Sequence, residues 1–366
     1  MEVIKFLKAN GNNFQKLTEV YGIKVKDYPE QKLVVLNYDQ INSPKMEPIV
    51  QECRGLILDY DLNIICRPFD RFFNYGEAET DKMDLTGYTY YPKLDGSLIK
   101  VYYWNGSWRI ATRGTAFAES DVGGWGITFE QLTLKAAGCK SMQEFNDKCE
   151  QAFMVPAETY LFELTAMENR VVTQYNEPQL TLLSVRRNQS GVFANMRFET
   201  SLPNDFYRIS EYTEGLSIEE IIQKADSLKN LEEGFVGYDE EGVPRVKVKS
   251  AAYVAVHHIR GEGLNPKRIA ELVISGEEEE YLTYFPEDRG TIEPYALALK
   301  SLVYNLELSM LTNHKIEDQK QFALAIKDVQ GKSVLFTARK YNISVQEAFQ
   351  RGTINSKVDM LLNSMK

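Results

Sequence analysis

Cysteine, histidine and net positive charge are all scarce in this chain of 366 residues. Cys53, Cys66, Cys139 and Cys149 show neither metal-ligand spacing nor the dense framework of a disulfide-stapled domain, which suits a reducing cytoplasm. The three histidines include an adjacent pair, His257-His258, which reads as structural rather than metal-binding. Long hydrophobic runs are missing as well. The longest apolar stretch, 295–311, is interrupted by Lys300, Asn305 and Glu307, so no membrane-spanning helix is expected. The opening Met1-Glu2-Val3-Ile4-Lys5 breaks into charge at once, unlike a secretory signal. A formal charge of −10 argues against indiscriminate coating of nucleic acid, which goes with a basic surface. It leaves room for a local groove that grips strand ends weakly and in a salt-sensitive way. With 43% hydrophobic residues the chain can bury a sizeable core, in one large or two ordinary domains.

What the chain does have is Lys93-Leu94-Asp95-Gly96 between two apolar, β-prone runs, Thr86–Pro92 and Ser97–Tyr103. A lysine at a strand end beside a glycine can act as a nucleophile on phosphorus, because the glycine lets backbone approach a nucleotide closely. Alone the tetrapeptide is a weak signal, and a hairpin turn with a solvated lysine is the plain alternative. Its companions strengthen it. Tyr160–Leu164 places the lone carboxylate of Glu163 inside an apolar run, and Glu233-Gly234 opens another. In Arg245–Lys249, alternation sends Arg245, Lys247 and Lys249 to one face and Val246 and Val248 to the other. A cationic wall of that kind suits a triphosphate whose α-phosphate gathers charge during displacement.

The organisation falls into two parts. Strand-like runs at 33–38, 55–59, 98–103, 160–164, 180–185, 234–238 and 244–249 lack parallel βαβ periodicity. They predict an α+β domain of antiparallel sheets with packed helices over residues 1–255. Leu132, Leu134, Ala137 and Phe145 add helical packing within 128–152. Residues 256–366 read as an all-helical domain. There Pro266–Ile274 forms one helix, with Gly276 just past its end, 293–311 a second, and two more fall between 318 and 350. Gly331-Lys332-Ser333 resembles a phosphate-binding loop, but Ile326 stands where the loop needs glycine and no strand leads in, so it is rejected as a nucleotide site.

The ordered set Lys93-x-Asp95-Gly96, Phe162-Glu163, Glu233-Gly234 and Lys247-Val248-Lys249 resembles the covalent nucleotidyltransferases. Within them it is most similar to the RNA ligase 1 family of T-even-like phages. Further matches are Glu52-Cys53-Arg54-Gly55, the basic-aromatic Arg67–Asn74, Asn169-Arg170-Val171-Val172, and Lys247–Ser250 with Tyr253. The likeness runs from about residue 30 to 285.

That resemblance implies an ATP-dependent RNA ligase using Mg²⁺, with Mn²⁺ as a substitute, acting as a monomer in the cytoplasm (the host's, if phage-encoded). It would join 5′-phosphate and 3′-hydroxyl RNA ends, broken tRNA among them. Lys93 would be the nucleophile that carries AMP. Tyr38, Arg54, Arg71, Phe73, Gly96, Arg113, Glu163, Glu233, Lys247 and Lys249 would bind the nucleotide. Lysine is usual in the family at the position of Arg71, and also at that of Arg113. Glu163 and Glu233 would orient hydrated metal or ribose hydroxyls. Glu279, where the family has an aspartate, would help hold a second metal, although the Glu277–Glu280 run also reads as a solvated charge cluster. Tyr253 would serve a later step on RNA, and Asp95 would fix loop geometry. Lysine is protonated at neutral pH, so burial and the cations Lys247 and Lys249 are expected to lower the pKa of Lys93. The alternatives are a GTP-using capping transferase, a DNA ligase and a non-catalytic RNA-end binder. The Arg67–Asn74 and Asn169–Val172 matches, and the lack of an evident oligonucleotide-binding barrel after Lys249, disfavour the first. The same missing barrel disfavours the second, and the full motif set disfavours the third.

Overall fold

A computed structural model describes residues 1–77, 79–123, 125–169, 172–173, 175–194, 196, 205–229, 232–251, 253–254, 265–284 and 288–366. Arg170, Val171 and the His257-His258 pair lie outside them. The chain forms two compact units, Met1–His257 and His258–Lys366.

Three sheets build the first unit. The first, in spatial order, is β1 (Ile23–Tyr28), β2 (Leu33–Tyr38), β3 (Arg54–Asp59) and β4 (Ile64–Cys66), all antiparallel. Its Leu36, Leu56 and Leu58 face helices α1 (Glu2–Ala9), α2 (Gln15–Tyr21) and α3 (Pro48–Glu52), while Val35 and Ile57 face Tyr102 and Ala111. The second and third sheets carry the motifs picked out in the sequence between them. Strand β5 (Phe73–Asn74) lies parallel to β13 (Pro244–Lys249), followed by β12 (Gly234–Tyr238) and β6 (Thr89–Lys93). The five-stranded sheet runs β11 (Arg208–Ile209), β10 (Gln179–Arg187), β9 (Glu158–Thr165), β7 (Ser97–Trp104), β8 (Ser107–Thr112).

Period-two alternation decides what faces what. On β9, Tyr160, Phe162 and Leu164 pack under α4 (Phe129–Ala136) and α5 (Met142–Gln151), so Leu161 and Glu163 point the other way. On β13, Val246 and Val248 join Phe235 and Tyr90 beneath α6 (Ile218–Asp226), so Lys247 and Lys249 point the other way too. Between the sheets a smaller apolar cluster of Phe69, Leu161, Phe193 and Tyr238, with Leu98, Val236 and Tyr91, forms the floor on which the charged residues stand.

The Lys93–Gly96 segment is not a hairpin. Strand β6 pairs with β12 and β7 pairs with β8 and β9, so Leu94-Asp95-Gly96 carries the chain from one sheet to the other.

The second unit is helical throughout its described residues. Pro266–Ser275 starts at Asn265, whose side chain accepts the Arg268 N–H, and stops at Gly276 in the left-handed conformation. Arg289–Asn313 is longer than the expected 293–311. Three helices, Gln319–Ala325, Lys332–Tyr341 and Val345–Gln350, occupy the span expected to hold two, because Gly331 and Asn342 adopt positive φ and divide it; Ile354–Ser364 follows. Gly331 packs against Leu306 and Met360, and Lys332 donates to the Lys327 carbonyl, as ordinary parts of a helical bundle do. Among the described residues no helix is long and apolar enough to cross a membrane.

Candidate active site

Strand register assembles the charged centre. Gly234 on β12 stands directly between Lys93 on β6 and Lys249 on β13. The preceding residue, Glu233, therefore reaches both: Oε2 lies 2.6 Å from Lys93 Nζ, and Oε1 3.0 Å from Lys249 Nζ. Gly234 has to be glycine here, since a Cβ would fall 2.1 Å from the Val248 carbonyl oxygen. Across the cleft, Glu163 pairs in register with Leu98, and its Oε1 accepts the Gly96 N–H at 3.1 Å. Gly96 is pressed equally hard, with a Cβ placed 2.3 Å from the Leu164 carbonyl oxygen.

Asp95 is buried and holds the crossing segment in place. Its Oδ2 accepts the N–H groups of Val172 and Thr173, both at 2.7 Å, and its Oδ1 accepts the Tyr253 hydroxyl at 2.8 Å. The Tyr175 hydroxyl accepts the Asp95 N–H at 3.1 Å. Tyr253 is itself buried, and its hydroxyl braces the lysine segment through Asp95.

Lys93 opens onto a cleft with about 770 Å³ of unfilled space, part of it open to solvent, which is nucleotide-sized. Its polar wall is Arg54, Glu163, Lys247 and Lys249; its apolar end is Phe69, Phe72, Leu98, Leu183, Val236 and Tyr238. Phe72 stands in that lining, and Phe73 does not. Phe73 pairs with Val246 on β5, is buried, and carries the Arg71 guanidinium over its ring at 4.9 Å. Arg113 lies over the Tyr38 ring at 5.1 Å, and Lys247 over Phe72 at 4.8 Å. One buried nitrogen each of Arg54 and Arg71, Nη1, has no hydrogen-bond partner in the structure. Buried donors of that kind call for an acceptor. Arg245 is the exception on the basic strand, turned outward into an ion pair with Asp239 at 2.7 Å. Glu279 belongs to the second unit, on the helix Glu278–Tyr284, with Arg289 Nη2 3.9 Å from its carboxylate.

A family profile described as RNA ligase matches residues 52–253, the span that holds Arg54, Lys93, Glu163, Glu233, Lys247, Lys249 and Tyr253. The chain belongs to the RNA ligase family. A protein of Autographa californica nuclear polyhedrosis virus, named as a bifunctional polynucleotide kinase/RNA ligase, is 35% identical over 98% of this chain and 53% of its own length. This chain therefore spans about half of that relative. An RNA ligase of Rhodothermus phage RM378 is 24% identical over 78% of this chain and 80% of its own. The structure of an archaeal ATP-dependent RNA ligase aligns with a TM-score of 0.49 at 12% identity, covering 83% of each chain.

The electrostatics of this RNA ligase family site correct one expectation. Burial pulls the Lys93 ammonium down, but Glu233 above all, with Glu163 and Asp95, outweighs it and holds Lys93 above the usual lysine range. Carboxylates, not cations, are its immediate company. The depressed lysine is Lys247, pushed well below the usual range by burial and by Arg54, Lys249 and Lys93, with Glu77 pulling the other way. Glu163 is pushed up to about 8 by burial, with Glu233 adding to it and Lys93 and Arg54 opposing. Burial would raise Glu233 as well, but Lys93 and Lys249 reverse the sign and lower it. The Tyr38 phenol is lowered despite burial, because Arg54, Arg113 and Arg71 surround it. The cleft lining also holds Phe72, Leu98, Val236 and Tyr238, which no sequence signal singled out; Leu98 lies two positions past Gly96, and Val236 and Tyr238 follow Gly234 at two-residue steps on β12.

Proposed function

We propose that this chain is an ATP-dependent RNA ligase that joins 5′-phosphate and 3′-hydroxyl RNA ends through a lysine–AMP intermediate on Lys93. The observation that carries the reading is Lys93 itself, 22% exposed at the edge of a nucleotide-sized cleft, bonded to Glu233 and faced by Lys247, Lys249 and Arg54. In the first step Lys93 gives up its ammonium proton through the Glu233 hydrogen bond, the neutral Nζ attacks the α-phosphorus as the bond to pyrophosphate breaks, and a second proton passes from the nitrogen to the departing pyrophosphate, leaving the P–N bond. Lys247, Lys249 and Arg54 stabilise the charge that builds on the phosphoryl oxygens. In the second, an oxygen of the RNA 5′-phosphate displaces the lysine, which regains a proton, and a 5′-5′ anhydride forms. In the third, a 3′-hydroxyl attacks the RNA phosphate and AMP leaves.

Glu163 and Glu233 are the residues that would hold a divalent cation. Among the described residues no cluster of three or more histidine, cysteine or acidic groups is placed to cage a metal. Mg²⁺ keeps several waters and takes one or two carboxylates plus phosphate oxygens. Glu163, unionised below about pH 8 by burial, is a carboxyl whose charge such a cation would restore. When bound, the cation supplies further neutralisation of phosphate charge. Glu279 would assist at the outer phosphates, Arg71, Arg113 and Tyr38 would bind the triphosphate, and Tyr253 would act through Asp95. The substrates would be broken RNAs in the cytoplasm, tRNA included, met by a monomeric enzyme. Support for the metal comes from the acid pair Glu163 and Glu233, and support for a nucleotide substrate from membership of the RNA ligase family.

Incubation with α-labelled ATP or GTP and Mg²⁺ tests this. ATP alone should leave an acid-stable label that Lys93→Ala and Lys93→Arg both abolish, since guanidinium stays protonated. Label retained in either variant, or taken from GTP, would sink the assignment. In the same assay Glu279→Ala should slow labelling more than sealing of a pre-adenylylated RNA.

A further inference from the structure

We propose that Arg186 is a positioning residue for the apolar end of the cleft, acting through Asp70 and Phe193 on the Phe69–Phe72 wall. The inference rests on reading the cleft as an ATP site, with the nucleobase at that end. Arg186 lies near the end of β10, its side chain 5% exposed, and is absent from the cleft lining. Its Nη1 donates to the Pro68 carbonyl at 2.5 Å and to Asp70 Oδ1 at 3.0 Å; Nη2 donates to Asp70 Oδ2 at 2.7 Å. Nε donates to the Gly191 carbonyl at 3.0 Å. The guanidinium lies over the Phe193 ring at 4.5 Å, and that ring stacks on Phe69, centroids 5.8 Å apart and 16° from parallel. Phe69 in turn meets Phe72 edge-on at 6.1 Å. One planar group thus fixes segment 68–70 from two sides, by backbone and by ring.

Arg186, only 5% exposed, needs its partners for folding, while Asp70, 39% exposed, contributes less to stability. What the bidentate geometry fixes is orientation, which a lysine cannot reproduce. Segment 67–73 has otherwise no regular structure before β5, and Phe69 and Phe72 leave it to line the cleft. Arg71 has its own anchor, its N–H donating to the Gln51 carbonyl at 2.9 Å. The clamp holds Phe69 and reaches Phe72, over which Lys247 lies at 4.8 Å, only through that ring, so it should act mainly on the aromatic wall and weakly on the cations. A flat apolar slot for a purine depends on rings held at fixed tilt.

The test compares wild type with Arg186→Met, Arg186→Lys and Asp70→Asn, the last at a half-exposed position where folding is safe. Equilibrium binding of ATP and of inorganic pyrophosphate is measured on each, then Lys93 labelling against ATP concentration. ATP binding and KM should weaken about 10-fold in Arg186→Met and Arg186→Lys and about 3-fold in Asp70→Asn. Pyrophosphate affinity and the labelling rate at saturating ATP should stay within about 2-fold. Unchanged ATP affinity in Asp70→Asn and Arg186→Lys overturns the proposal. So does a parallel loss of ATP and pyrophosphate binding, which a merely structural residue would give. A wild-type chain that binds ATP but takes no label fails the ligase reading instead, and the binding comparison still decides the clamp.

Discussion

Two lysines and one glutamate at this site have exchanged the titration behaviour that their motifs suggest. Lys93, the proposed nucleophile, is held above the usual lysine range by Glu233 2.6 Å away, whereas burial and the surrounding cations push Lys247 well below it. Glu163 is the group whose ionisation falls in the working range. Its folded pKa is raised from 4.5 to about 8. A carboxyl raised in this way favours the folded state fully below 4.5 and loses that contribution as pH climbs through 8. Glu163→Gln removes the titration, so without metal the variant should gain stability over wild type at pH 9 relative to pH 5. Wild-type affinity for Mg²⁺ should tighten as pH rises through about 8, because the cation no longer has to displace a proton. Thermal melts at the two pH values, and Mg²⁺ titrations across the interval, check both. A wild-type and Glu163→Gln pair with parallel pH profiles would place the ionisation elsewhere.

At the scale of elements, the chemistry depends on Leu94-Asp95-Gly96 passing from the four-stranded to the five-stranded sheet. Gly96 is where the two backbones come closest, and Gly96→Ala would drive a methyl group to 2.3 Å from the Leu164 carbonyl oxygen. That position is backbone and cannot step aside as a side chain would. Overpacking of this sort costs about 1–3 kcal/mol, and here the displaced strand end also carries Lys93 and the Glu163 contact. The variant should melt lower and lose most of its lysine labelling; a variant that labels normally would show that the crossing segment tolerates movement. How much of this was legible follows from the same elements. Strands β2, β3, β7, β9, β10, β12 and β13 declare themselves through dense apolar runs. Helices α1 and α2, 8 and 7 residues long, are too short for a 3.6-residue period to stand out, and β1 carries Lys24, Lys26 and Asp27 outward. In the site, alternation correctly put Lys247 and Lys249 on one wall. It could not tell that Arg245 at the strand's start would meet Asp239, nor that Phe72 rather than Phe73 faces the cleft, because both depend on tertiary register. Sequence alone gave Arg186 no signal, since its partner Asp70 is 116 residues away.

For the whole molecule, the proposed substrate is a polyanion while the chain carries a net charge of −10. Arg54, Lys247 and Lys249 line the cleft, and Arg71 and Arg113 join Arg54 around Tyr38, while acidic residues dominate the rest of the composition. Long-range attraction of RNA is therefore weak, and binding has to rest on a few phosphates at the strand end. Counterion release then sets the expectation: for single strands, log affinity falls by about 0.7 per phosphate contact for each decade of salt. With roughly three contacts, the KM for RNA should rise about 20-fold between 50 and 200 mM salt. The KM for ATP in lysine labelling should change much less, because its partners are partly buried and screened less by ions. Steady-state sealing of a 5′-phosphorylated RNA, run beside ATP labelling at the two salt concentrations, separates the two. A flat RNA profile would mean that base stacking or shape, and not phosphate charge, captures the strand, and that the cationic cleft serves the nucleotide alone.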